Sequence, residues 1–373
     1  MRSVGIIGGG IAGLTAACAL RRAGMHVTVF ERAPRLRTGG GALILWCNAV
    51  AALARLDLRA SLLALPSARV VERAEFCTPD GELLSAVPIG EVSSKHGAES
   101  VVLARADLVR MLAEAAGDIR FGSDVREVRE SSDAAVVRTG ELEEHFDVVL
   151  GADGLHSVVR SSVNASQPLR SVGQELWVGT TDFKTAELVP GTVTATLGRG
   201  RRFWSTLLGD GRAFWYAVLR SDAHIANPAE LSAHFAGFHS PITDLVANTD
   251  EENVIVTPMK DRDPSPVWGK GRITLAGDSA HAMTPDLGQG ACQAIESALA
   301  FRDALHEAPS IPLALRAYET RRYKRTADIT RMSWLVANSC GATSQIACLA
   351  RDTAVRFGMR ATFMTQLDWL FSS

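Results

Sequence analysis

The pattern of apolar and polar positions at the start of the chain predicts a strand, a helix and a second strand. Val4 to Ile7 is a short, continuous apolar run, typical of a parallel strand buried on both faces. Alanines and leucines then recur at helical spacing from Leu14 to Arg22, and another apolar run covers His26 to Phe30. The first 30 residues therefore have the order of elements that opens many α/β domains.

Glycines lie between the first predicted strand and the helix, at Gly8, Gly10 and Gly13, and Glu31 ends the second strand. In this spacing the glycines make a tight turn, allow close approach of a pyrophosphate, and pack helix on strand. The helix N-terminus adds free amides, and an acid at the second strand suits ribose hydroxyls. We therefore predict a dinucleotide-binding turn rather than an ordinary glycine-rich turn, although the motif alone does not separate NAD from FAD.

Two later apolar runs also end in glycine and aspartate. Phe146 to Leu150 leads into "GADGLHSVVR", and Arg272 to Leu275 leads into "AGDSAHAMTPDLGQG". Each predicted strand places an aspartate, Asp153 or Asp278, at its carboxyl end, where ligands bind in open α/β sheets. The composition of the run from Ala291 to His306 predicts a helix beyond the second of these motifs.

Between those motifs the periodicity changes, and Thr192 to Arg220 contains three β-rich runs joined by "GRGR" and "GDGR". These junctions predict hairpins and an antiparallel sheet. The segment also concentrates aromatic residues, which indicate either a pocket wall for a flat ligand or packing against a helix. Arg201 and Arg202 alternate faces, so at most one points inward; we expect each to lie outward, although an inward arginine would suit an anionic substrate. Val70 to Pro88 predicts a further strand, turn and strand.

Length, charge and cysteine usage narrow the class of protein. The 373 residues are more than one core usually organises, so two domains are expected. A net charge of -2 gives no electrostatic reason to expect nucleic acid or an anionic membrane as partner. No apolar stretch is long enough to span a bilayer and no signal peptide is evident, so we expect a cytoplasmic protein without stable membrane insertion. The scattered cysteines have no metal-ligand spacing and are expected to be reduced, mostly buried thiols.

The sequence has a specific resemblance to a known family. It is carried by the glycine turn and the two glycine and aspartate motifs, in that order, together with "RTGGGALILWCNAVAAL" and "LARADLVRML". The sequence resembles the class A flavoprotein monooxygenases, the group of para-hydroxybenzoate hydroxylase, and within it the urate hydroxylase, salicylate hydroxylase and zeaxanthin epoxidase branch. The form "TPDLGQG" is especially similar to that of the urate hydroxylase-like members.

The resemblance implies an α/β fold with a Rossmann-like FAD-binding domain, an interleaved antiparallel β-sheet substrate domain and C-terminal helices. The implied boundaries are 1–70, 98–168 and 262–331 for the FAD-binding domain, 71–97 and 169–261 for the substrate domain, and 332–373 for the helical segment. From Ala314 to Arg331 the charges and leucines predict a surface helix.

The resemblance also implies site residues. The residues implied to bind FAD are Gly8, Gly10, Ile11, Ala12, Gly13, Glu31, Arg32, Arg105, Asp153, Gly154, Gly277, Asp278, Pro285, Gly288, Gly290 and Ala291. The implied environment of the flavin ring is Pro285, Gly288, Gln289 and Gly290, and no catalytic side chain and no metal site is assigned. The candidates for substrate contact are Trp204, Arg202, Trp215 and Tyr216. His281 is expected to be a hydrogen-bonded structural residue. Cys47 and Cys292 stand at positions where the family often has other residues, and Cys292 is expected to be a small buried thiol.

The implied activity is that of an FAD-dependent monooxygenase. NADPH or NADH reduces the FAD, dioxygen adds at flavin carbon 4a, and the hydroperoxide passes one oxygen atom to an aromatic, heteroaromatic or unsaturated small molecule. The alternatives are an FAD-dependent reductase or dehydrogenase of a polyprenyl or aromatic substrate, and a non-catalytic flavin-binding redox sensor. The sequence does not identify the substrate. It also leaves undetermined whether the reaction is a hydroxylation or an epoxidation, and whether the protein is a monomer or a homodimer.

Overall fold

The computed structural model describes residues 2–37, 39, 41–163 and 167–372. The strands of its first half are β1 (Ser3–Ile7), β2 (His26–Phe30), β3 (Ala42–Leu45), β4 (Arg69–Val70), β5 (Arg73–Cys77), β6 (Leu83–Val87), β7 (Val101–Ala104), β8 (Val125–Glu130), β9 (Ala135–Thr139), β10 (Leu142–Phe146) and β11 (Val148–Gly151). Those that follow are β12 (Leu169–Thr181), β13 (Thr192–Leu197), β14 (Arg201–Leu207), β15 (Ala213–Arg220), β16 (Val254–Arg262) and β17 (Ile273–Leu275).

Helices connect and cover these strands. The helices are α1 (Ile11–Arg22), α2 (Cys47–Ala54), α3 (Arg59–Leu63), α4 (Ile89–Lys95), α5 (Arg105–Ala116), α6 (Val158–Val163), α7 (Pro228–His234), α8 (Ile242–Ala247), α9 (Asp278–His281), α10 (Gly290–Glu307), α11 (Ile311–Cys340), α12 (Gln345–Thr353) and α13 (Met359–Phe371). Within the described ranges, no helix combines the length and the apolar character needed to cross a membrane.

A parallel sheet carries the predicted glycine and aspartate motifs. Its order is β17-β11-β1-β2, and every neighbouring pair is parallel. Because parallel strands end at the same edge, the residues that follow them, Gly8, Glu31, Asp153 and Asp278, collect along one edge. The predicted order of strand, helix and strand at the start of the chain is confirmed.

A separate seven-stranded sheet has the order β16-β12-β15-β14-β13-β5-β6. The pairs β13–β14 and β14–β15 are antiparallel, which confirms both predicted hairpins, and β5 pairs with β6 across the predicted turn. One face of this sheet packs on α7 and α8 through Phe203, Trp215 and Phe235. Its other face is turned toward the parallel sheet through side chains such as Trp204 and Tyr216.

The helical part confirms one predicted helix and differs from the prediction for the other in its length and its burial. The predicted helix from Ala291 to His306 is confirmed as α10, most of which is buried. The helix that we predicted to end at Arg331 continues to Cys340, because its sequence holds no glycine or further proline before Gly341. It is also not simply a surface helix, since residues along its whole length, from Leu315 to Ala337, are buried.

Candidate active site

Two adjoining cavities form one cleft along the carboxyl edge of the parallel sheet. The larger has a volume of about 480 Å³ and reaches the seven-stranded sheet, and the smaller has a volume of about 270 Å³ and ends near Glu31. Gly10, Arg105 and Gly154 line both cavities, so the two volumes meet at these residues.

The glycine turn after β1 has the geometry that an extended phosphate ligand needs. Gly8 has φ +109°, and a Cβ there would lie 2.3 Å from the Ala152 carbonyl oxygen. A Cβ on Gly13 would lie 2.0 Å from the Gly8 carbonyl oxygen, so these two glycines are required by packing. A Cβ on Gly10 would meet nothing within 4 Å, and Gly10 begins α1 without a side-chain cap. The first turn of α1, with Ile11 and Ala12, therefore lines an open cradle with unpaired amides that fits a pyrophosphate.

The Glu31 carboxylate is fixed at the far end of the smaller cavity. Its Oε2 accepts a hydrogen bond from the Gly9 amide at 2.7 Å, and its Oε1 accepts one from the Ala33 amide at 2.9 Å. Arg32 is exposed and lines the same cavity. The acid is thus oriented by backbone amides beside a volume that could take a ribose.

Arg105 and Asp278 both line the larger cavity and interact electrostatically, and Arg105 also lines the smaller one. Burial lowers the pKa of Arg105, and the neighbouring Asp278 opposes that shift. Asp278 is exposed at the larger cavity, where desolvation by the surrounding protein raises the pKa of its carboxyl while Arg105 acts in the opposite direction. Gly277, at φ +61°, brings the backbone close to α1, since a Cβ there would lie 2.8 Å from the Ala12 Cβ.

The Asp153 carboxylate is held by hydrogen bonds within the protein. Its carboxylate accepts hydrogen bonds from the Ser157 hydroxyl at 2.5 Å and the Val158 amide at 2.7 Å, which caps α6. It also accepts one from the Ser279 hydroxyl at 3.2 Å, which joins the two aspartate motifs. Asp153 and Gly154 still line the smaller cavity, so the motif borders the cleft while its carboxylate holds the local structure.

The segment before α10 forms one wall of the larger cavity. Pro285–Leu287 is a 3-10 turn, and Gly288 ends it in the left-handed region at φ +62°. Pro285, Gly288, Gly290 and Ala291 line the cavity. Gln289 does not, because its buried side chain accepts hydrogen bonds from Asn48 and Gln293.

The opposite wall is aromatic. Trp204 and Tyr216 stack with ring centroids 5.5 Å apart and planes 14° from parallel, and both line the cavity with Phe214. The expectation that Trp215 contacts a substrate is wrong in this structure. Trp215 is fully buried on the other face of the sheet, where it stacks on Phe203 and donates to the Thr249 hydroxyl.

The outward position that we expected for Arg202 is also wrong. Its side chain is 3% exposed, forms an ion pair with Asp286, and donates to Gln174 Oε1 at 2.7 Å. Arg202 shares a sheet face with Trp204, and the turn that carries Asp286 covers it. The carboxylate compensates the charge of the arginine, and Asp286 rather than Arg202 lines the cavity. Arg201, on the other face, packs over the Phe238 ring at 5.2 Å.

Several cavity residues were not among the site candidates named from the sequence, although Phe214 belongs to the aromatic cluster of the predicted sheet. Phe214 shares the strand face of Tyr216, so the two-residue period of a strand could have identified it. Trp46 and Asp286 lie within motifs that carried the resemblance, but the contacts that give them roles join distant parts of the chain. The remaining apolar lining comes from Ala42, Leu43, Ile44, Leu176, Val178, Met283 and Leu287.

The other candidate reactive side chains are buried, and burial shifts their pKa values against their charged forms. Burial lowers the pKa of His281 to about 3, and its Nε2 lies 3.0 Å from the Ser297 hydroxyl, which agrees with a structural role. Burial raises the pKa of Cys47 to about 11, and that of Cys292 still further. Within the described part of the chain, no group of three or more His, Cys, Asp or Glu residues could hold a metal ion.

Comparison with known proteins agrees with this geometry. Residues 1–333 match the family described as FAD binding domain. An aurachin C monooxygenase/isomerase of Stigmatella aurantiaca is 33% identical, over 94% of this chain and 93% of that protein. A 3-amino-4-hydroxybenzoate 2-monooxygenase of Streptomyces cremeus is 34% identical, over 99% of this chain and 94% of that protein. The crystal structure of Klebsiella pneumoniae HpxO complexed with FAD and uric acid superposes with a TM-score of 0.93 at 25% identity, covering 99% of this chain and 96% of that one.

Proposed function

Because this chain belongs to the FAD binding domain family and is an FAD-dependent monooxygenase, we propose that its cleft holds FAD in an extended form. The adenosine end lies at Glu31, the pyrophosphate at Gly10 and the start of α1, and the flavin ring against Gly288 to Ala291. The observation that supports this placement is the continuity of the two cavities through Gly10, Arg105 and Gly154.

The donors along the cleft match the charges of that ligand. Unpaired amides at the start of α1 and the Arg105 guanidinium suit phosphates, and the backbone-held Glu31 carboxylate suits ribose hydroxyls. Gly290 begins an 18-residue helix whose N-terminal end points its partial positive charge at the proposed ring position. Bound FAD supplies oxygen activation at the expense of NAD(P)H and dioxygen, and these residues bind it, orient it and favour negative charge on the ring.

The proposed substrate is a small planar aromatic or heteroaromatic molecule. Trp204, Tyr216 and Phe214 offer a stacking surface opposite the turn that contains Asp286. The Oδ2 atom of Asp286 is buried without a hydrogen-bond partner, so a substrate N–H or O–H group is a suitable donor for it once bound. The 3-amino-4-hydroxybenzoate in the name of one relative, and the uric acid bound by HpxO, support this class.

The proposed domains separate the residues that bind FAD from those that bind the substrate. We propose that 1–70, 98–168 and 262–331 form the FAD-binding unit, that 71–97 and 169–261 form the substrate unit, and that 332–373 forms a C-terminal helical segment. A reaction that consumes NAD(P)H suits a cytoplasmic enzyme, acting as a monomer or homodimer.

The test uses purified protein reconstituted with FAD. NADH and NADPH consumption and hydrogen peroxide release are measured with a panel of phenols, aminophenols and purines. The product of any stimulating compound is analysed after reaction under ¹⁸O₂. We expect an aromatic compound that speeds NAD(P)H consumption to yield a product with one ¹⁸O atom. Substrate-stimulated turnover to a product with unlabelled oxygen would overturn the proposal.

A further inference from the structure

Trp46 lies where three distant parts of the chain meet at the wall of the larger cavity. It follows β3 directly, is 8% exposed and lines the cavity. Its indole Nε1 donates to the Leu287 carbonyl oxygen at 2.9 Å, and its backbone amide donates to Cys292 Sγ at 3.4 Å. One residue therefore contacts both the 3-10 turn before α10 and α10 itself.

The contact with the turn leaves little space. Gly288, the left-handed residue that ends the turn, would place a Cβ 2.8 Å from Trp46 Nε1. The glycine is thus required both by its φ of +62° and by the indole against it. The indole sets the position of the Leu287 carbonyl and the Gly288 backbone together.

The C-terminal helix supports the indole from behind. Phe371, 1% exposed, packs its ring on Trp46 with centroids 5.5 Å apart and planes 32° from parallel. The end of α13 is anchored because Arg325 donates to the Leu370 carbonyl at 2.9 Å and pairs with Glu296 on α10. The position of the turn therefore depends on residues at the other end of the sequence.

We propose that Trp46 is a positioning residue that, supported by Phe371, fixes the Leu287–Gly288 turn against the flavin ring. This inference rests on the FAD placement proposed above. A hydrogen-bonded, closely packed turn keeps its backbone against the ring and excludes water from that side of the cavity. The C-terminal helix is then part of the active-site structure rather than a surface cover.

The test compares Trp46→Phe with Trp268→Phe. Trp268 is 1% exposed and donates its Nε1 to the Ser265 carbonyl at 2.9 Å, so this control loses the same kind of hydrogen bond away from the cleft. Each holoprotein is examined for the visible absorption spectrum of bound FAD, the FAD dissociation constant, and the peroxide released per NAD(P)H consumed. Phe371→Leu reaches the same turn from behind and is measured in parallel.

We expect Trp46→Phe to shift the bound FAD spectrum and raise the peroxide fraction. FAD binding should weaken by up to about fivefold, the limit reached if FAD must restore all the order that this hydrogen bond gives the turn. Phe371→Leu is expected to give a smaller effect in the same direction, which tests the inference even if Trp46→Phe does not fold. Trp268→Phe should keep the wild-type spectrum and peroxide fraction. If the wild type binds FAD and oxygenates substrate but Trp46→Phe and Phe371→Leu match Trp268→Phe, this inference alone is overturned. Failure of the wild type to bind FAD overturns the proposed function and this inference with it.

Discussion

Arg202 on β14 and Asp286 in the turn before α10 form an ion pair in which both side chains are 3% exposed. The pair joins the seven-stranded sheet to the turn that borders the proposed ring site. Removing one partner leaves the other charge buried without compensation, whereas removing both does not.

We therefore expect Arg202→Met and Asp286→Leu each to lower the free energy of unfolding by about 3–5 kcal/mol. The double variant should lie much closer to the wild type than the sum of the two losses. Urea unfolding of the four apoproteins completes the cycle. Losses that simply add would show that the two charges are not coupled.

Two glycines of the first turn have different roles: Gly13 is required by packing, and Gly10 leaves space for the ligand. Gly13→Ala should destabilise the apoprotein by about 1–3 kcal/mol, because its Cβ would meet the Gly8 carbonyl at 2.0 Å. Gly10→Ala should cost less than about 1 kcal/mol in the apoprotein, since its Cβ enters open space, yet weaken FAD binding strongly. Thermal unfolding and FAD titration measure the two effects. An unchanged FAD affinity in Gly10→Ala would contradict the pyrophosphate placement.

The aromatic residues of the seven-stranded sheet also have two roles: Trp215 packs in the core, and Trp204 faces the cavity. Trp215→Ala should lower the free energy of unfolding by about 3–5 kcal/mol, because it empties a fully buried site. Trp204→Ala, on the cavity face, should be milder for stability but raise the KM for an aromatic substrate and the peroxide released. Chemical unfolding and steady-state kinetics of both variants test this. The opposite distribution of effects would place the substrate on the other face.

Buried His281 predicts a pH dependence of stability. Its pKa is lowered to about 3 by burial and by Arg322, whereas an unfolded histidine has a pKa of about 6.5. The neutral imidazole therefore contributes its stability above about pH 6.5, and this contribution is lost progressively as the pH falls toward 3. His281→Gln should flatten the dependence. Urea unfolding of both apoproteins at pH 7 and pH 5 gives the slope, and equal losses in the two proteins would show that His281 is not its source.

Local sequence patterns predicted much of the fold and of the proposed cofactor end of the cleft. The turn at Gly8, Gly10 and Gly13, the acid at Glu31 and the helix α10 depend on neighbours close in sequence, so spacing was enough. The alternation of a strand identifies two faces but not which one meets the ligand. For that reason Trp204 and Trp215 could not be separated before the sheet was placed on its helices.

Local patterns could not predict contacts between residues that are far apart in the sequence. An arginine on a predicted strand is most often solvated, and nothing near Arg202 indicates the carboxylate that covers it from the turn at Asp286. Trp46 similarly depends on Phe371, which lies at the other end of the chain. These contacts exist only once the two sheets and the C-terminal helix are packed together.

The most direct measurement is a crystal structure of the protein with FAD bound. Our account predicts the adenosine ribose at the Glu31 carboxylate, the pyrophosphate at the amides after Gly10, and the flavin ring between Gly288 and the Trp204 side of the cavity. A flavin ring outside the cavity lined by Gly288 and Trp204, or an adenosine away from Glu31, would contradict it.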